Sequence, residues 1–327
     1  MPNYKKISKN IFQVTIDNPQ KNSRVDWINI NDAGKTEIEY LRKRFNFKLD
    51  HLRASSAKAN SQRPIITRGD DYVFMILHFP LPPASGGSGG GKIQSAEIEF
   101  FIGHGFLITL PSASLAPLNE LFNLCKKDSA SLLAYELESS AILLYEILKK
   151  LLGYSYAILD ENSIAISRAE QIILDEDQKK SANLILNLRH NLLNMRKIMQ
   201  NHKNIMKRLM LMESSIITPE YLKKYYGELI EQTKTFWETL ENQREMVEVL
   251  HDSYESLSNY RLNFVMKTLT IFYVIFSSLS LIAAIFSLKI DNGMPLLGYK
   301  NGFWIIIAAM ALIGLTMLLI FKKKKWL

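Results

Sequence analysis

The sequence predicts an α+β membrane protein, with a mixed strand and helix part of about 260 residues followed by two C-terminal transmembrane helices. Two uncharged apolar runs carry that reading: Thr268 to Leu288 (TLTIFYVIFSSLSLIAAIFSL) and Gly302 to Phe321 (GFWIIIAAMALIGLTMLLIF). At 1.5 Å per helical residue each reaches about 30 Å, the hydrocarbon thickness of a bilayer. Buried core helices would need apolar partners on every side and rarely run so far without a polar break. Composition supplies the second observation: 47% hydrophobic and 22% charged residues suit a chain that buries a core and exclude disorder. The third is a change of period. Strand-like and helix-like pieces alternate to about residue 125, and helical spacing follows from Ser129 onward.

The predicted domains follow in chain order. Residues 1–128 form an N-terminal cytoplasmic α/β part. Tyr72 to Phe79 (YVFMILHF) reads as one strand, and Ile98 to Leu110 as two short strands around the turn Gly103-His104-Gly105. Between them PLPPASGGSGGGK is a flexible loop on composition. Residues before about 30 are assigned no role. Residues 129–218 read as cytoplasmic helices: Leu132 to Gly153, Asn162 to Asp175 and Lys180 to Met212. Thr218-Pro219-Glu220 is a helix start with a cap and a first-turn proline. No proline occurs from there to Leu288, which predicts one continuous helix: a stalk over 219–262 and the first membrane span over 263–288. An external loop (289–301), the second span (302–321) and a basic cytoplasmic tail (322–327) complete the chain.

Charge fixes the expected orientation. The formal charge is +8, yet Arg261, Lys267, Lys289, Lys300 and Lys322 to Lys325 face a single acid, Asp291, in the last stretch. The preceding residues are therefore close to neutral. Lys322 to Lys325 follow the second span while Arg261 and Lys267 precede the first, so the positive-inside rule predicts both termini in the cytoplasm of a plasma (cell inner) membrane protein. The first residues, MPNYKKISKNIF, lack the apolar core of a signal peptide. A lone cysteine, Cys125, forms no intramolecular bridge and fits a reducing compartment with a buried free thiol.

Other function classes find little support. Gly86 to Lys92 spells G-x-x-x-x-G-K but lacks the following Ser or Thr and leads into a strand, so it is not a nucleotide loop. The six histidines (51, 78, 104, 190, 202, 251) show no metal-binding spacing, and His78 or His104 reads as a satisfied strand residue. Arg189, His190, Arg196, Lys197, His202, Lys203, Lys207 and Arg208 form a basic helical face. Without interleaved aromatic residues it reads as solvated surface, and no nucleic acid partner is expected. No serine or cysteine triad order stands out, which argues against an enzyme.

On the first membrane helix, steps of three and four from Asn263 reach Met266, Thr270, Tyr273, Ser277, Ser280, Ala284 and Ser287, while bulky apolar residues take the other faces. Such a stripe either packs helices closely or lines a water-filled pore, and a pore needs several copies around an axis. The string Asn263-Phe264-Val265-Met266-Lys267-Thr268-Leu269-Thr270-Ile271, then Leu281-Ile282-Ala283-Ala284-Ile285-Phe286, resembles the first membrane helix of the CorA family of magnesium and divalent-cation transporters. Phe321 to Leu327 (FKKKKWL) resembles that family's C-terminus. Gln62-Arg63-Pro64, Asp70-Asp71-Tyr72-Val73-Phe74, Phe100-Phe101-Ile102-Gly103 and Phe106-Leu107-Ile108-Thr109 look like its cytoplasmic domain.

The resemblance implies a homopentamer in the lipid bilayer, with an αβα cytoplasmic domain, a long stalk helix running into the pore-lining helix, and an outer second helix. It implies passive flow of hydrated divalent cations, magnesium as transported ion and as a regulatory ligand, and no organic cofactor. Asn263 would form the inner polar ring, Met266, Leu269 and Tyr273 apolar constrictions, and Ser277 and Ser280 a hydroxyl lining, with Thr270 and Ala284 on the same stripe. The family's Gly-Met-Asn signature falls here on Ser287-Leu288-Lys289, a departure at the pore mouth. Five lysines about 10 Å from a divalent ion would repel it by roughly 4 kcal/mol in water and about 1 kcal/mol after screening. Asp291 and Asn292 lie just beyond and could restore an attractive collar. Glu228 and Asp252 match acids that in the family belong to regulatory metal sites and a lower stalk position. A scaffold or sensor with the same fold but lost or altered conduction is the second reading, and a pore selective for other ions the third.

Overall fold

The computed structural model describes residues 3–18, 23–56, 63–83, 91–127, 139–174, 178–212, 222–288, 301–324 and 326. The chain divides into two compact units, Met1–His251 and Asp252–Leu327.

The first unit is built on seven strands: β1 (Asn3–Lys6), β2 (Ile11–Asn18), β3 (Ser23–Ile30), β4 (Ile65–Arg68), β5 (Tyr72–Leu81), β6 (Gln94–Gly103) and β7 (Phe106–Pro111). Their spatial order is β1-β2-β3-β7-β6-β5-β4, with β3 and β7 parallel and every other pair antiparallel. The β6–β7 turn is the expected one, and Gly105 takes φ +70 there, a conformation that strains any residue with a Cβ. Its carbonyl accepts from the Asp26 N–H at 2.8 Å, which seats β3 alongside β7.

Strand β5 is buried on both faces, so it reads as a continuous apolar run instead of an alternation. Helices α1 (Lys35–Phe45) and α2 (Leu49–Ala54) cover one face. Leu41, Phe47 and Leu52 join Ile28, Ile30, Phe74, Ile76, Phe101 and Ile108 there in one buried cluster. Residues of opposite parity serve the other face, because successive strand side chains alternate. On that side Trp27 meets Phe122 of α3 (Ala116–Lys127) edge-on at 5.0 Å, and its indole N–H donates to Thr109 Oγ1 at 3.1 Å. Phe79 meets His202 at 5.0 Å. Helices therefore cover both faces, and the unit is an αβα layer.

Helices α4 (Ser140–Leu174), α5 (Gln178–Met199) and α6 (His202–Leu211) follow. Two expectations need correction. Two separate helices were expected to end at Gly153 and begin at Asn162, but α4 runs through both. A lone glycine costs a helix only about 1 kcal/mol, and Leu151, Leu152, Ser155, Ile158, Leu159 and Asn162 keep one buried stripe across the site. Conversely Lys180 to Met212 is two helices, interrupted at Gln200–Asn201, where Asn201 starts a new turn and its carbonyl accepts from Ile205 at 3.0 Å. The segment before residue 30, to which the sequence assigns no role, contributes three strands. The expected start at Thr218-Pro219-Glu220 lies outside the described residues, as do most of the glycine-rich loop and its G-x-x-x-x-G-K string. A short π-helical turn, Leu222–Tyr226, leads into α7 (Gly227–Ser287), and α8 (Gly302–Lys323) closes the chain.

Candidate functional site

In the second unit α7 and α8 pair antiparallel. The Lys267 ammonium lies 5.9 Å from the Trp326 ring, the Ser278 hydroxyl 3.4 Å from Met317 Sδ, and a Cβ on Gly314 would sit 3.7 Å from Leu279. Ile271 is 3% exposed between the two helices. These contacts define one face of α7. With 3.6 residues per turn, Asn263, Met266, Thr270, Tyr273, Ser277, Ser280 and Ala284 fall on the side facing away from α8, with Leu269 at its flank. All eight are exposed in the single chain, Met266 at 65% and Tyr273 at 73%.

The hydroxyls of this helix are affordable in an apolar setting. Thr268 donates to the Phe264 carbonyl at 2.9 Å, Thr270 to Met266 at 2.7 Å and Ser278 to Val274 at 2.6 Å, so each proton is satisfied one turn back. In the most apolar windows of the two long helices only 11% and 6% of residues are buried within the chain. Helices of a protein core would be covered by their own fold, so the apolar surface here is left for lipid or for further copies. Ser287 and Leu288, at the end of α7, are exposed. Lys289, Asp291 and Asn292 lie outside the described residues.

The two regulatory candidates are placed differently. Glu228 is held within its own chain: the Tyr145 hydroxyl donates to Oε2 at 2.8 Å, the Gln232 amide to Oε1 at 2.9 Å, and Lys149 Nζ stands 3.4 Å from Oε1. Tyr145's hydrogen bond, with Lys149 alongside, holds the Glu228 carboxyl below the usual carboxylate range. A divalent ion there would have to displace the lysine. Asp252 is exposed in the second unit. Among the described residues no group of three acidic, histidine or cysteine side chains is assembled to hold a metal.

The basic helical face is only partly a solvated surface. His202 is 3% exposed, and Arg196 stacks 5.6 Å from Trp237 while its Nε reaches Glu241 at 3.2 Å. Cys125 is fully buried, and burial pushes its thiol up to about 12. One grouping escaped the sequence reading: His78 Nε2 lies 3.1 Å from Glu97 Oε2, with Glu99 two residues on along the same sheet face. Nothing in the spacing of residues 78 and 97 announces that pairing, which depends on the β5–β6 register.

An αβα unit, a single helix continuing from it into an apolar pair, and a polar stripe on the first of that pair define a protein with two helices long and apolar enough to cross a membrane. The sequence pattern of the CorA-like Mg2+ transporter protein family matches residues 22–323. The chain belongs to that family. It is 30% identical over 185 residues to the cobalt/magnesium transport protein CorA of Thermotoga maritima, covering 57% of this chain and 52% of that protein. It is 23% identical over 310 residues to the CorA of Methanocaldococcus jannaschii, covering 93% and 92%. The complete structure of the M. jannaschii CorA magnesium transporter superposes with a TM-score of 0.81 at 21% identity, covering 98% of this chain and all of that one. The fold is thus shared along the whole length.

Proposed function

We propose that the protein is a channel-type transporter through which divalent cations, magnesium foremost, flow passively down their electrochemical gradient, and that it works as a homopentamer with both termini in the cytoplasm. The observation that carries this reading is the stripe on α7. It joins hydroxyl and amide groups to a few large apolar side chains, faces away from α8, and is left uncovered by the chain's own fold. Repeated around an axis, it lines a path in which Asn263 meets the ion's water shell at the inner end. Met266, Leu269 and Tyr273 narrow the path, while Thr270, Ser277, Ser280 and Ala284 keep it small-sided and wet. Magnesium sheds water reluctantly, so hydroxyl and amide oxygens contacting its hydration shell suit it better than a dry cage. The relatives named for cobalt and magnesium transport support the cargo class. At the outer end, Ser287, Leu288 and Lys289, with Asp291 and Asn292 next along the chain, form the mouth.

Accessibility of single cysteines tests the lining. Cys125 is the chain's only cysteine and is buried with a raised thiol, so it gives a quiet background. Cysteines at Ser277 and Ser280 should react with a membrane-impermeant thiol reagent in the assembled protein, and cysteines at Ile271 and Leu279 should not. Equal reactivity of the two sets, or none at Ser277 and Ser280, contradicts a wet stripe.

A further inference from the structure

The αβα unit contains two adjoining cavities of opposite charge that ion conduction does not use. The first, about 450 Å³, is lined by Asp32, Ser55, His78, Glu97, Glu99 and Ser112, with no lysine or arginine among its described lining residues. The second, about 750 Å³, is lined by Arg63, Asn194, Lys197 and Asn201, and shares His78 and Ser95 with the first. Register explains the acidic chamber. His78 pairs with Glu97 across β5 and β6, and Glu99 projects on the same side two residues further on. His78 is 6% exposed and Glu99 9%, and His78 Nδ1 is buried without a hydrogen-bond partner. Burying two carboxyls and an imidazole on a sheet face is a poor way to stabilise a fold. Such a group in a cleft points to a ligand.

Local contacts fix the basic chamber. Asn191 accepts from the Ile93 N–H at 3.0 Å and donates to the Gly91 carbonyl at 3.3 Å, and Asn194 donates to the Ile93 carbonyl at 3.2 Å. The chain entering β6 is thereby clipped to α5. Lys197, three residues beyond Asn194, comes up on the same side of the helix. Arg63 and Lys197 make no ion pair with a described residue. Along β6, Ser95, which lines both cavities, lies about 7 Å from Glu97 and about 14 Å from Glu99, so the two acids stand that far from the shared wall.

We propose that the two cavities form one binding site for a small bipolar solute, its ammonium group among Asp32, Glu97 and Glu99 and its carboxylate or phosphate between Arg63 and Lys197. The Glu99 carboxyl, pushed up to about 9 by burial and by Glu97 beside it, holds a proton at neutral pH. An ammonium group beside it supplies the same neutralisation and releases that proton to solvent. The ordering of charges sets the ligand's length: a solute with its charges close together reaches only one chamber.

Titration calorimetry of the full-length protein in detergent tests this with five probes: ε-aminocaproate, aminohexyl phosphate, β-alanine, aminohexanol and hydroxyhexanoate. The expected result is that one of the two long bipolar probes binds at least tenfold tighter than the short or singly charged ones. Which of the two binds better assigns carboxylate or phosphate to the anionic end. Glu99→Gln, a neutral match for the protonated side chain, and Lys197→Gln, on the exposed helix face, should each weaken that binding at least fivefold. Binding by none of the probes, equal binding of the singly charged ones, or affinity unchanged in Lys197→Gln would overturn the proposal.

Discussion

His202 is the residue whose burial most clearly sets a pH response. It lies against Phe79 on the sheet face that α3 also covers, and burial, with His78 nearby, holds its imidazole well below the ordinary 6.5, to about 4. The sign follows directly: the folded chain prefers neutral histidine, so this stability is fully present above pH 6.5 and is lost as pH falls towards 4. A shift of that size corresponds to about 3 kcal/mol. His202→Leu should flatten the thermal stability of the protein between pH 6.5 and 4; an unchanged acid slope would assign it to other groups. Lys289 governs a different quantity. If it stands in a ring at the pore mouth, its repulsion of a divalent ion slows capture, and Lys289→Asn should raise magnesium flux several-fold at physiological salt. The gain should shrink at high ionic strength, since the effect is Coulombic.

Among the elements, α7 carries the most consequence. Within the first unit it is tied to α4 by Gln243, whose amide donates to the Leu159 carbonyl at 2.9 Å and to Ser163 Oγ at 2.6 Å while 4% exposed. Gln243→Ala should cost about 1 to 3 kcal/mol, as loss of a buried, hydrogen-bonded side chain does, read as a lower melting temperature of the full-length protein. No change would mean that apolar packing alone holds the helix. The elements also show which parts of the fold are legible. Strands β5 to β7 announce themselves because they are buried on both faces, and the two apolar spans because nothing else accounts for their length. Strands β1 to β3 escape notice because Gln13, Asp26 and Asn29 interrupt their apolar residues, although Val25-Asp26-Trp27 alternates as a half-buried strand should. The parallel β3–β7 pairing joins segments about 80 residues apart, and no local pattern encodes it. Gly153 misleads for the opposite reason: a helix breaker by type, it sits in a stripe that continues on both sides.

For the whole molecule, the stripe from Asn263 to Ala284 is legible in the sequence as a period, and the structure adds that it faces away from α8. The His78–Glu97–Glu99 chamber is invisible in sequence because sheet register alone brings residues 78 and 97 together. The family match over residues 22–323 and the shared fold along the whole chain make transport the function to test. The most direct measurement is magnesium entry into proteoliposomes holding the purified protein and a trapped magnesium dye, with and without an imposed negative-inside potential. Entry well above that of protein-free vesicles, and faster under the potential, is the predicted result. A correctly assembled oligomer that stays silent at low internal magnesium would contradict a passive divalent-cation channel.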